Sequence, residues 1–180
     1  MMSSGEKKAV AIIALVAIVV VAVVGSAVGV LVATAHSDDE DGAYLHLAVG
    51  DQLHTVEPVR WCDVFLTECT PPPNQPQRET PHVPVPTGTS VLLSVPSVIA
   101  SGPWSLTALY ATPKGLYEDS RILQSGTTFT VKLESEPDRV LVGITVIVPS
   151  AVVNADGTID TARGALAVQT APVGFAVPAI

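Results

Sequence analysis

The two cysteines of the chain stand in "RWCDVFLTEC", where Cys62 and Cys69 enclose six residues. Two thiols at this spacing could close a small disulfide or hold a metal. A metal site or a redox-active pair would call for a CxxC step, and a metal also for a nearby histidine; neither is present. An even cysteine count in an oxidising compartment points instead to a structural disulfide, worth about 2–3 kcal/mol for so short a loop in the chain-entropy model. The histidines, His36, His46, His54 and His82, show no metal-binding spacing. If Gly50, Asp51 and Gln52 form a three-residue hairpin loop, His46 and His54 are diagonal neighbours on one strand face. Such imidazoles suit a transition metal, but no third ligand accompanies them and a solvated strand face accounts for both. "NADGTID" offers Asn154, Asp156 and Asp160 as oxygen donors. Aligned on its glycine, a calcium loop would start at Val152 and end at Arg163, neither of which is a ligand, so a turn at Asp156-Gly157 is expected. Glu134, Glu136 and Asp138, broken by Pro137, form an acidic strand end, which reads as a solvated turn. No GxSxG, HExxH or glycine-rich phosphate loop occurs. The chemistry points away from an enzyme, and no metal or cofactor is expected.

The compartment follows from the N-terminal third. Ala9 to Ala35 contains no charged residue, and only Ser26 and Thr34 carry polar side chains. As a helix the run spans roughly 40 Å, enough to cross a hydrocarbon core of about 30 Å with tilt. Lys7 and Lys8 precede it and Asp38, Asp39, Glu40 and Asp41 follow. The positive-inside bias therefore places residues 1–8 in the cytoplasm and residues 43–180 outside, with 36–42 as an acidic spacer. Ala33-Thr34-Ala35 is a small-x-small signal, so cleavage after Ala35 and secretion is the competing reading. The run exceeds the usual signal-peptide core of about 7–15 residues, which favours an uncleaved anchor over 9–35. Gly25 and Gly29 form a GxxxG spacing that would let a second membrane helix approach closely.

Residues 36–180 hold seven Lys and Arg against sixteen Asp and Glu, a net charge of −9, which argues against nucleic acid or anionic lipid as partner. Strand signals recur through this part. "AYLHLAVGDQLHTVEP" reads as a hairpin whose three-residue loop sets Leu53 opposite Val49. "TSVLLSV" ends at Pro96, and "SVIAS" is expected as a helical turn crossing between sheets. "WSLTALYA" places Trp104, Leu106, Ala108 and Tyr110 on one face, and "TTFTVKLES" groups Phe129, Val131 and Leu133. "RVLVGITVIVP" looks like a central strand buried on both sides, and "ALAVQT" is the last strand. Residues 70–86 hold seven prolines in seventeen positions and are expected as an extended surface loop. About seven strands without an amphipathic helix predict one immunoglobulin-like β-sandwich. "Immunoglobulin-like" is architectural only, because a disulfide between Cys62 and Cys69 is local and does not bridge distant strands.

At "WCDVFLTEC" and "SVLLSVPSVIASGPWSL" the chain resembles the actinobacterial membrane-anchored proteins grouped as domain-of-unknown-function family 2771. The resemblance runs from the apolar segment through most of the exported domain. It implies a Gram-positive, mycolate-type envelope and an extracytoplasmic domain of unestablished activity, with no catalytic residues to carry over. Trp61 and Trp104 are the structural aromatics of these motifs. Pro96 ends one strand and Pro103 sets the start of the next, so Trp104 is expected in the core with its indole N–H bonded to a carbonyl.

The first functional expectation is a membrane-tethered, non-enzymatic binding or scaffolding protein of the actinobacterial envelope. It would recognise an envelope or membrane protein through the Cys62–Cys69 and proline-rich loops. The alternative is a carrier holding a lipid or other apolar ligand between its sheets, and an envelope hydrolase ranks last. The intact mass of the chain isolated from membranes is expected to include residues 1–35; a mass beginning at His36 would overturn the anchor.

Overall fold

The computed structural model describes residues 42–153 and 162–176. The apolar run with Gly25, Gly29 and the Ala33–Ala35 signal, the spacer up to Asp41, and the turn at Asp156-Gly157 lie outside the described residues. No helix among the described residues is long and apolar enough to cross a membrane.

The described chain is mainly β. Its strands are β1 (Leu45–Val49), β2 (Gln52–Val56), β3 (Arg60–Cys62), β4 (Cys69–Thr70) and β5 (Thr89–Ser94). A four-residue helix, α1 (Ser97–Ala100), precedes β6 (Trp104–Thr112), β7 (Gly115–Leu123), β8 (Thr130–Ser135), β9 (Val140–Pro149) and β10 (Ala162–Gln169). All these strands pair antiparallel, in a four-stranded sheet of order β2-β1-β5-β8 and a six-stranded sheet of order β4-β3-β10-β9-β6-β7. Period-2 alternation gives each sheet one apolar face. Leu45, Leu47, Val91, Leu93 and Leu133 of the smaller sheet share one buried cluster with Trp104, Leu106, Ile144, Val146 and Leu166 of the larger. These features are those of a β-sandwich.

Register fixes two ends of the molecule. His46 pairs with Ser94, so the start of β1 lies beside the end of β5. From there α1 carries the chain into the other sheet, as its sequence suggested, and β6 begins at Trp104. Ser105 pairs with Ile147, Ile147 with Ala165, and Gly164 with Trp61. The start of β1, the crossover, the end of β9 and the Cys62–Cys69 loop therefore share one end, called proximal here because Gly42 leads into it. The distal end holds the Gly50-Asp51 turn and the turn between β8 and β9.

Several expectations require correction. Val49 pairs with Gln52, leaving a two-residue turn with Gly50 at its first central position and φ of 61°. This is the glycine position of a type II′ turn, whose twist suits a hairpin. The one-residue change of register moves Leu53 opposite Ala48 and leaves it 70% exposed. It also separates the histidines: His46 pairs with Thr55, whereas His54 sits opposite buried Leu47, so the two imidazoles lie on opposite faces.

β9 is buried on both faces only over Val140, Leu141 and Val142. A bulge there sets Leu109 opposite Gly143 but Tyr110 opposite Leu141, so the inward series shifts from Leu141 to Ile144, Val146 and Val148. Val142 turns instead into a small second cluster with Ala111 and Val140, against which Leu109 and Ala171 pack.

The proline-rich segment is not wholly a surface loop, because Val83 and Val85 enter the core. Their N–H groups donate to the carbonyls of Gln169 at 2.9 Å and Thr170 at 3.0 Å, while Gln169 N–H donates to Pro81 O at 2.9 Å. The prolines alternate with these valines, so the missing donors fall on the side away from β10, where an edge position tolerates them. Phe129 stands just before β8 and is 44% exposed.

Trp61 and Gly164 form a tight cross-strand pair, and a Cβ on Gly164 would overlap the Trp61 ring. Gly164→Ala is expected to cost about 1–3 kcal/mol through overpacking. In a Trp61→Ala background most of that cost should vanish; equal costs in both backgrounds, measured by denaturant unfolding, would refute the contact.

Candidate functional site

The Cys62–Cys69 loop projects from the proximal end and is held by a covalent bridge and by its own hydrogen bonds. Cys62 and Cys69 face each other across β3 and β4 and are joined by a disulfide, as the spacing predicted. Inside the bridge, Asp63 N–H donates to Glu68 O at 2.9 Å. The Asp63 carboxylate accepts from Thr67 N–H at 2.6 Å, Glu68 N–H at 2.9 Å and the Thr67 hydroxyl at 2.8 Å. These bonds hold the Asp63 carboxyl below its ordinary value of 3.8, the Glu68 amide acting most strongly, burial opposing it, and the Thr67 hydroxyl and amide adding to the lowering. Leu66 takes a left-handed φ of 61°, unusual for a residue with a Cβ. Ala151 N–H donates to Val64 O at 2.9 Å, which ties the loop to the exit of β9.

The result is a rigid loop with its apolar side chains turned outward. Val64 is 41% and Phe65 67% exposed. A flexible loop could fold such side chains against the domain; here the carboxylate cap, the bridge and the Leu66 conformation oppose that.

Trp61, the residue before the bridge, braces the loop's base. It packs partly buried against the core, and the Arg163 guanidinium lies 4.7 Å from its ring centroid. Arg163 occupies a bulge, since Ala162 pairs with Pro149 and Gly164 with Val148, and its Nη2 donates to Val98 O at 2.9 Å. One side chain thus joins β3, β10 and α1. Burial lowers the pKa of its guanidinium.

Trp104 is in the core, as expected, at 1% exposure. Its indole N–H, however, has no protein acceptor, contrary to the bonded N–H anticipated. Burying an aromatic side chain on the order of 200 Å² contributes about 5 kcal/mol, more than the roughly 1–3 kcal/mol an unmade hydrogen bond costs. Packing therefore decides the ring's position.

Elsewhere the geometry is structural or shallow. Glu134 pairs with Lys132 at 2.8 Å, and both side chains are mostly exposed. Glu136 and Arg139 close a tight turn through reciprocal backbone bonds of 3.1 Å. The Arg139 guanidinium stacks 3.9 Å from the Tyr110 ring centroid and reaches Asp119 at 3.4 Å. Asp119 also binds Arg121 at 2.7 Å, and these cations, Arg121 foremost, lower its pKa. On the outer face of the larger sheet the small side chains of Thr107, Gly143, Thr145 and Ala167 leave a trough of about 510 Å³, whose one charged lining residue is Glu118. Among the described residues no three His, Cys, Asp or Glu side chains are grouped to hold a metal ion.

Sequence reasoning singled out the loop but missed the parts that give it direction. The Asp63 cap was legible in principle, as a carboxylate four and five residues before Thr67 and Glu68 inside a closed ring. The Arg163–Trp61 stack was not, because it depends on the bulge in β10.

A family model described as "Protein of unknown function (DUF2771)" matches residues 38–170. No curated protein and no solved structure matches the chain.

The carboxylate cap predicts a pH dependence. A folded pKa below 3.8 means the cap's contribution is complete above that value and is lost as pH falls through the lowered pKa. The Thr67 and Glu68 amide resonances are expected to titrate with a shared midpoint below 3.8, and to lose that titration in Asp63→Asn. A midpoint at or above 3.8 would show that the carboxylate does not cap the loop.

Proposed function

We propose, for a chain that belongs to the DUF2771 family of proteins of unknown function, a non-enzymatic binding module tethered to the cytoplasmic membrane of an actinobacterial envelope. On this reading residues 9–35 are a single-pass anchor, residues 1–8 are cytoplasmic and the β-sandwich, immunoglobulin-like in its architecture, is extracytoplasmic. The apolar run between Lys7-Lys8 and the Asp38–Asp41 cluster supports the tether and its orientation. The disulfide supports an oxidising compartment.

The observation that carries the binding role is the outward display of Val64 and Phe65 on a loop held by both a covalent bridge and a carboxylate cap. A surface whose shape is set before contact loses little conformational freedom on binding. Its apolar tip selects an apolar surface of the envelope, and the trough on the larger sheet offers a second, wider contact region. The space between the sheets is occupied by the chain's own side chains, Trp104, Leu47 and Leu166 among them, so no observation favours the carrier.

A photo-reactive phenylalanine analogue at position 65 of the full chain should form adducts when irradiated in the intact envelope. Opening the bridge with Cys62→Ser and Cys69→Ser should lower their yield about tenfold, equivalent to about 1.4 kcal/mol of lost preorganisation. Adduct yields unchanged by opening the bridge, or no adducts at position 65 at all, would refute the role assigned to the loop.

A further inference from the structure

We infer that the proximal end of the sandwich rests on the membrane itself, with Phe65 of the disulfide loop inserted at the lipid headgroup boundary. The inference rests on the tethered reading above and names the surface that the loop meets.

Three observations lead to it. First, the register places Gly42, where the described domain begins, at the same end as the Cys62–Cys69 loop. Residues 36–42 reach at most about 25 Å when fully extended, so an anchor ending at Ala35 would hold Gly42, and with it the entry to this end, within that distance of the bilayer. Second, this end carries exposed apolar side chains from separate loops: Val64 and Phe65 between β3 and β4, and Phe129 before β8. The strands that carry these loops lie toward opposite edges of the sandwich, β3 and β4 at one edge of the larger sheet and β8 at one edge of the smaller. Contacts at two separated points restrict the tilt of a body on a surface to rotation about the line joining them, a limit that a single point does not set. Third, the polar groups beside the apolar tip are bonded within the protein, while the exposed Glu68 side chain at the loop's far end stays in water. The Asp63 carboxylate is taken up by Thr67 and Glu68, and the Val64 carbonyl by Ala151, so the tip meets lipid with few unsatisfied groups.

Charge narrows the kind of membrane contact. With sixteen acidic against seven basic residues after Ala35, the exported part gains nothing from anionic headgroups. The attraction is apolar and interfacial, as for aromatic side chains seated at the headgroup level. Anchor and loop then act as two linked contacts: the anchor supplies a high local concentration and the loop sets orientation. The outer faces of the sheets, including the trough, are left free to meet other envelope components.

The test uses the full chain reconstituted in phosphatidylcholine vesicles, with or without bromine atoms near the headgroup end of the acyl chains. Two reporters are compared after subtracting the signal of Trp61 and Trp104: Phe65→Trp at the proximal end and Leu53→Trp in the distal hairpin. Intact mass without reductant verifies the disulfide in each variant, and resistance to alkaline carbonate extraction is measured in parallel. Brominated lipid is expected to reduce the position-65 emission by about half and to leave the position-53 emission unchanged. If the chain resists carbonate but both reporters are equally insensitive, the inference fails while the tether stands, and the loop tip belongs to a protein partner. If carbonate releases the chain, the tethered reading fails and this inference fails with it.

Discussion

Two sheets that each have one apolar face must bury those faces against each other, and the placement of every loop follows from how the chain meets that demand. β5 and β6 are successive strands in different sheets, so the chain has to cross the open end of the core between Ser94 and Trp104. Pro96 and Pro103 bound the crossing, and α1 turns Ile99 and Ala100 into the core, closing that end. Once the crossing is made, antiparallel pairing leaves no choice about which loops share an end. The disulfide loop lies at the proximal end because β3 runs antiparallel to β10, and for no reason internal to the loop.

The loop's own shape has a different origin. It is only partly buried and draws little on the core; its order comes mainly from interactions within six residues and the bond that encloses them, with one tie to the exit of β9 through Ala151. Core packing thus decides where the loop is, while the bridge and the Asp63 carboxylate decide what it looks like. Arg163 links the two levels, since the bulge that re-aims it in β10 lets it brace both Trp61 and α1. The division suits the contact role proposed for the loop. Its presentation can be stiff without requiring that its exposed side chains contribute to folding.

Much of the fold was legible from local pattern. Alternation in "WSLTALYA" assigned the inward face of β6 correctly, and Pro96 followed by "SVIAS" gave the crossover. The cysteine spacing gave the disulfide. Reading failed where two local solutions were equally good. Both a two-residue and a three-residue loop fit "VGDQL", and only the twist of the paired strands selects the turn with Gly50 at φ 61°. It failed again at "PHVPVP", where the number of prolines obscured their spacing. The alternation frees two valine N–H groups for β10, but this has meaning only once β10 lies alongside.

What the sequence determined by itself is whatever depends on near neighbours in the chain. That covers strand periodicity, the breaks at proline, the closed ring between Cys62 and Cys69, and the acidic charge of residues 36–180. Tertiary structure decided what depends on partners far away in the chain. It set Gly164 beneath Trp61, placed the bulge that shifts the inward face of β9, drew Val83 and Val85 into the core, and brought Gly42, Phe65 and Phe129 to one end. The physical reason is that a side chain's own properties establish whether it favours burial, whereas the strand that buries it, and the end of the molecule it reaches, are set by hydrogen-bond register between segments that meet only on folding.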